Sequence, residues 1–98
     1  MSTTLSLKTS HSAADTKSII LEAISDQLAF VRTRFHKFED ECREFETKYN
    51  MASDTFSEKF ESGELGDELQ WFDWYASLRG KKIWGKKFQI LNEITWHE

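Results

Sequence analysis

The chain contains no proline, and only four of its 98 residues are glycine. Because both residues interrupt helices, their scarcity favours an all-helical chain. A single cysteine, Cys42, excludes an internal disulfide framework and fits a reducing cytoplasm. The sequence also lacks a run of about 18 apolar residues, as a membrane span would need, and an apolar N-terminal segment of the kind that directs secretion. We therefore expect a cytoplasmic protein without membrane contact.

Aromatic residues, by contrast, make up 14% of the chain, with eight Phe and four Trp. Ninety-eight residues form one domain, which is marginally stable if it must bury its core alone. So many rings in a protein with so little interior predict that some of them face a partner. The net charge of −4 argues against nucleic acid as the main partner.

The longest regular pattern lies between residues 21 and 49, where apolar residues recur at alternating steps of three and four. We call these positions the heptad stripe: Leu21, Ile24, Leu28, Val31, Phe35, Phe38, Cys42, Phe45 and Tyr49. Four uninterrupted heptads predict a coiled-coil-like helix, and 29 residues at 1.5 Å each make it about 43 Å long. We expect later helices of the chain to cover this stripe in part and a homodimer to complete the core, with Cys42 as a buried thiol.

Charged residues beside the heptad stripe bear on how two copies of this helix would pair. Arg32 and Arg34 lie towards its start, whereas Glu39 and Glu41 lie further on. Antiparallel self-pairing sets these opposite charges against each other, and parallel pairing sets like against like. The pattern therefore favours antiparallel pairing.

Two readings of residues 1–15 remain open at this point, a flexible leader and a short strand over Thr4 to Lys8, where apolar and polar residues alternate. Ser12 or Asp15 is the predicted N-cap of the long helix. Residues 16–98 are then predicted to form a single helical domain.

A second, short helix is predicted over residues 51–62. Asn50 suits the left-handed position that ends the first helix. Ser53 or Asp54 can cap the second helix, and Gly63 ends it.

The connector and the third helix contain all four glycines. Gly63 and Gly66 are free to take positive φ in a tight turn. Asp67 is the predicted N-cap of a third helix that is rich in aromatic residues. Gly80 and Gly85 lie inside this helix, where each costs about 1 kcal/mol relative to Ala. They either mark a bend or let another backbone approach closely, and we expect helix on both sides of Gly80 with a weakening near it.

No pattern of catalytic or metal-binding residues is present. His11, His36 and His97 are scattered, without ligands at metal-site spacing. The acidic residues between Glu39 and Glu46 are typical of a solvated helix face, and the glycines lack the Lys-Ser/Thr of a phosphate loop. We therefore expect neither an enzyme nor a cofactor.

A basic patch occupies the middle of the third helix. It consists of Arg79, Lys81, Lys82, Lys86 and Lys87. As a nucleic-acid site it would bind phosphates and use Trp84 for stacking. As a structural feature it is a solvated helix face or a face that pairs with the acidic first helix, and we favour this second interpretation.

The connector and the start of the third helix carry the most specific motif. They read Phe60-Glu61-Ser62-Gly63-Glu64-Leu65-Gly66-Asp67 and then Trp71-Phe72-Asp73-Trp74. Together with the long charged helix, these motifs resemble a group of small helical proteins of bacteria and archaea that look like antitoxins of two-gene toxin–antitoxin cassettes. The resemblance covers about residues 35–91.

The resemblance implies a mechanism of occlusion, in which an acidic, aromatic helix covers the basic active surface of a ribonuclease-like toxin. A homo-oligomeric coiled-coil adaptor is the first alternative function. The second is a small DNA-binding regulator that would use the basic patch on promoter DNA. In all three cases the chain itself carries no chemistry.

The turn at the connector also predicts where the aromatic residues lie. It brings Trp71, Phe72 and Trp74 near Phe45 and Tyr49, with one of the two Trp residues in the core. The remaining rings and their acidic neighbours are the predicted partner interface: Glu68, Trp71, Phe72, Asp73, Trp74 and Tyr75.

Overall fold

The computed structural model describes residues 2–96, which contain three helices and no strand. They are α1 (Ala13–Tyr49), α2 (Ser53–Glu61) and α3 (Leu69–Glu93). This confirms the all-helical prediction of a long first helix, a short second helix and an aromatic third helix. Residues 4–8 form no strand, and His97 lies outside the described residues.

The ends of α1 are the predicted ones. Ser12 is the N-cap, and its Oγ accepts a hydrogen bond from the backbone N–H of Asp15 at 3.0 Å. At the other end Asn50 has φ 49° and ψ 51°, the left-handed conformation that an Asn tolerates well, and its N–H donates to the Glu46 carbonyl. Local sequence therefore sets both boundaries of this helix.

The starts of α2 and α3 differ from the prediction. The N-cap of α2 is Ala52, not Ser53 or Asp54, and its side chain makes no capping bond. The Ser53 backbone N–H donates instead to Oε2 of Glu46, at 3.0 Å, so a carboxylate of α1 satisfies this orphan donor. In α3 the N-cap is Glu68 rather than Asp67.

The connector turns as predicted, with φ of 80° at Gly63 and 81° at Gly66. The weakening expected near Gly80 is wrong, because α3 runs without a break from Leu69 to Glu93. A side-chain Cβ at Gly80 would lie 2.6 Å from the ring of Phe38, so the glycine admits that ring against the α3 backbone. Tertiary packing thus outweighs low helix propensity.

Helices α1 and α3 form an antiparallel hairpin, since early residues of α3 contact late residues of α1 and later ones contact earlier ones. The ring of Trp74 stacks on Phe45, whereas Gly85 lies against Phe35. The body measures 58 × 26 × 18 Å, and its radius of gyration of 19.1 Å exceeds the value of about 13 Å for a compact domain of this size. α2 packs only at one end of the hairpin.

The heptad stripe faces α3, and α3 covers most of it. Val31 and Cys42 are buried, and the other positions are half-buried except Leu21, which is 43% exposed at the open end of the hairpin. Other core side chains come from α2 and α3: Phe56, Trp74 and Leu78. The seam is therefore covered within one chain over most of its length.

Candidate partner-binding surface

Trp74 is the centre of the aromatic cluster at the closed end of the hairpin. It is 0% exposed, and its ring stacks on Phe56 with centroids 4.0 Å apart and planes at 3°. Its indole Nε1 donates a hydrogen bond to Ser53 Oγ at 3.1 Å. Since a buried indole N–H needs an acceptor, the Trp side chain and the start of α2 fix each other's position.

The predicted packing on α1 is confirmed for the two Trp residues but not for Phe72, whose ring meets Phe60 of α2 and is half exposed. Trp71 lies 4.8 Å from Tyr49 between ring centroids, and Trp74 lies 5.7 Å from Phe45 and 5.8 Å from Tyr49. As expected, one of the two is core: Trp74 is buried and Trp71 only half-buried.

The six predicted interface residues therefore divide between core and surface. Trp74 lies inside the core and is inaccessible to a partner while α2 covers it. Trp71 and Tyr75 are half-buried, and the Tyr75 hydroxyl donates to Glu61 Oε1 at 2.9 Å. Phe72 is 50% exposed, and Glu68 and Asp73 are exposed as well.

Two further residues belong to this surface. Leu69 is 80% exposed at the first position of α3. Phe60 of α2 is half-buried, and its ring lies 5.1 Å from that of Phe72 at right angles. We call Phe60, Leu69, Phe72 and Tyr75 the apolar corner. The three-residue step from Leu69 to Phe72, on the face that does not meet α1, was the sequence signal for Leu69.

The apolar corner lies in the acidic half of the chain. Residues 39–75 carry twelve Asp/Glu and three Lys/Arg, a net charge of −9. Nine of these twelve carboxylates are exposed, and eight of the nine have no cation within 4 Å among the described residues: Glu44, Asp54, Glu58, Glu61, Glu64, Asp67, Glu68 and Asp73. Apolar side chains with unpaired carboxylates around them suit a basic partner.

The acidic residues of α1 are more engaged than a solvated face would be. Glu41 Oε2 accepts a hydrogen bond from Ser77 Oγ at 2.8 Å, and Glu46 caps α2. Glu39 lies 3.5 Å from Arg43 and 3.3 Å from His36. Much of this segment therefore positions α2 and α3, which the sequence could not show.

The basic patch does not pair with acidic residues of α1. Among the described residues, no carboxylate lies within 4 Å of its five cations. Lys87 instead lies 4.6 Å from the Trp84 ring centroid, and Arg34 of α1 lies 5.9 Å from the same ring. Trp84 also meets Phe30 edge-on at 5.7 Å. The chain's own side chains thus contact the ring that a nucleic-acid site would have used for stacking.

Cys42 of α1 is buried, as predicted, and lies near Ser53 at the start of α2 and Lys81 of α3. Burial raises the pKa of its thiol above the ordinary value of 9.0, a shift that the nearby Lys81 charge opposes. A neutral, enclosed thiol is a poor nucleophile, so its role is packing.

Modification of Cys42 by a thiol reagent such as 5,5′-dithiobis(2-nitrobenzoate) should be slow in the native protein and fast in urea. The reagent reaches the thiol only when the structure around Cys42 opens, and each 1.4 kcal/mol of free energy that this opening requires slows the reaction about tenfold. The raised pKa also makes the free energy of unfolding depend on pH. The part that the neutral thiol contributes is fully present below the pKa of the thiol in the unfolded chain, and it is lost as the pH rises through the pKa in the folded protein. Equal rates in buffer and in urea would show that the thiol is accessible.

Residues 2–96 contain no group of three His, Cys, Asp or Glu side chains that could hold a metal ion. Within the same range, no helix is long and apolar enough to cross a membrane. Comparisons with protein-family models, curated proteins and solved structures find no match. The apolar corner is therefore the feature on which we base a functional interpretation.

Proposed function

We propose that this protein is an antitoxin, a non-catalytic binding module that neutralises a small basic toxin by covering its active surface. The observation that carries the proposal is the apolar corner with its exposed carboxylates. Leu69 is 80% exposed and Phe72 50% exposed, beside the unpaired carboxylates of Asp67 and Asp73. Exposed aromatic anchors with an acidic rim have the composition of an interface for a cationic protein.

Charge explains both attraction and inhibition in this proposal. A ribonuclease must hold RNA phosphates with Lys and Arg, so its active surface is basic. A net charge of −9 over residues 39–75 attracts such a surface and competes with the phosphates for it. Occlusion then needs no chemistry from the antitoxin.

The apolar corner fits this role better than the acidic segment of α1. Glu41 and Glu46 already bond Ser77 and the start of α2. A toxin that withdrew these carboxylates would release the helix contacts that they make. We further propose that the free protein is a homodimer, because an elongated chain with a small core leaves large apolar side chains such as Ile19 and Ile90 exposed.

Asp73→Lys should weaken binding of the proposed basic toxin, sought as the product of an adjacent gene, by about tenfold or more, because it sets like charges against each other at the interface. The measurement is affinity by calorimetry together with growth rescue on co-expression. Asp26→Lys is the matched control. It makes the same charge change at an exposed position in the N-terminal half of α1, outside the apolar corner.

The control should bind and rescue like the parent, and both variants should keep their helicity. Equal binding by Asp73→Lys and the parent would remove the apolar corner as the interface. The absence of any neutralised neighbour would favour the adaptor function instead.

A further inference from the structure

α3 carries a second apolar stripe, which faces away from α1. Leu69, Ala76, Ile83 and Ile90 follow one another at intervals of seven residues, so they lie along one face of the helix. All four are exposed, with Leu69 at 80%, Ile83 at 49% and Ile90 at 55%. We call these four positions the outer stripe. The inward side of α3 is formed by other residues, among them Trp74 and Leu78.

Charge along α3 changes sign at Ala76. Residues 68–75 carry two acidic residues, Glu68 and Asp73, and no basic one. Residues 77–87 carry the five cations of the basic patch and no acidic residue. A second α3 that runs antiparallel over this centre sets each acidic segment against a basic one, whereas a parallel α3 sets the basic patches against each other.

We propose that two copies of this protein dimerise through antiparallel packing of their outer stripes, with the two-fold axis at Ala76. Leu69 and Ile83 are each seven residues from Ala76, so Leu69 of one copy meets Ile83 of the other. The small Ala76 side chain allows the two backbones to approach closely at the axis. Such an interface is isologous and closes on itself.

Self-complementarity selects a second copy as the occupant of the outer stripe. The chain's own N-terminal segment does not cover it, since Leu5 and Leu7 are themselves 85% and 67% exposed. A toxin would have no reason to match a charge pattern that changes sign at Ala76 or the Leu69 and Ile83 side chains that lie at equal distances from it. This inference specifies the proposed homodimer. Because Leu69 also belongs to the apolar corner, the dimer and the toxin complex exclude each other, a consequence that rests on the proposed function.

Cysteine cross-linking of the full chain tests the geometry. Under mild oxidation without toxin, Ala76→Cys should form a disulfide dimer at least about tenfold faster than Ile90→Cys, because only residues at the axis are held within bonding distance. Ile90→Cys is the matched control. It lies on the same stripe, but 14 residues from the axis, so its two copies are about 42 Å apart in the antiparallel dimer.

Cross-linking of both variants would indicate parallel packing and overturn the inference. If neither variant cross-links and sedimentation of the parent shows a dimer, the homodimer uses another surface and the inference about the outer stripe fails. If neither cross-links and the parent sediments as a monomer at 100 µM, homodimer and inference both fail. Circular dichroism verifies that each variant folds. A cross-linked Ala76→Cys dimer combined with no toxin binding by the parent would overturn only the proposed function.

Discussion

Replacing Trp74 with alanine should lower the free energy of unfolding by about 3–5 kcal/mol, the range for removing a buried large aromatic side chain. The indole is 0% exposed, stacks on Phe56 at 4.0 Å, and contacts both Phe45 and Tyr49. Its loss also leaves the buried Ser53 hydroxyl without its donor. Since a domain of this length is marginally stable, most of its stability is at stake.

Urea denaturation followed by far-UV circular dichroism measures this loss. The control is Phe72→Ala, which removes an aromatic side chain that is 50% exposed in the same cluster. Its effect should be about 1 kcal/mol or less. Comparable losses in the two variants would show that Trp74 is not the centre of the core.

Much of the fold follows from local pattern. The steps of three and four between Leu21 and Tyr49 specify the face of α1 that meets α3, and Ser12 and Asn50 set its ends by capping and backbone preference. Gly63 and Gly66 likewise mark the turn that makes a hairpin. These features depend on neighbours within a few residues, which a sequence displays directly.

The capping of α2 and the division of the aromatic cluster depend on residues far apart in the chain. Ser53 receives its capping carboxylate from Glu46, across the turn between two helices. Ser53 is also the acceptor for Trp74, which is 21 residues away. Periodicity placed both Trp residues near α1, but which of them is buried depends on where α2 lies.

The sequence predicted only some of the residues of the candidate surface. Phe72, Tyr75 and Asp73 are on the surface or partly so, as expected, whereas Trp74 is not. Leu69 was missed because a single leucine at a helix start carries little information before the inner face of that helix is known. The outer stripe became visible only when Trp74 and Leu78 were placed inward.

Gly80→Ala should lower the free energy of unfolding by about 2 kcal/mol, although the substitution favours the helix itself. Helix propensity alone predicts a gain of about 1 kcal/mol. The added Cβ, however, would lie 2.6 Å from Cδ1 and 2.7 Å from Cγ of Phe38. Rotation about χ2 does not move Cγ, so relief needs a change of χ1 within the packed seam or a shift of α1. Overpacking costs about 1–3 kcal/mol, and with three ring atoms within 2.7 Å we expect the upper end of this range, which exceeds the propensity gain by about 2 kcal/mol.

Gly85→Ala is the matched control, since it adds the same methyl group five residues further along α3. Its Cβ would lie 3.0 Å and 3.2 Å from atoms of the Phe35 ring edge, which can yield by small rotations. The propensity gain should therefore roughly offset the contact, leaving a change within about 0.5 kcal/mol. Equal melting temperatures for the two variants would mean that the helices separate freely at Gly80.

A double-mutant cycle with Phe38→Ala separates propensity from packing at Gly80. Without the Phe38 ring nothing opposes the added methyl, so Gly80→Ala should stabilise the Phe38→Ala protein by about 1 kcal/mol. Gly80→Ala is thus destabilising when Phe38 is present and stabilising when it is absent. The difference between the two effects is a coupling free energy of about 3 kcal/mol, at the top of the range for residues in contact. If Gly80→Ala instead destabilises both backgrounds equally, the glycine is needed for a reason other than the approach of Phe38.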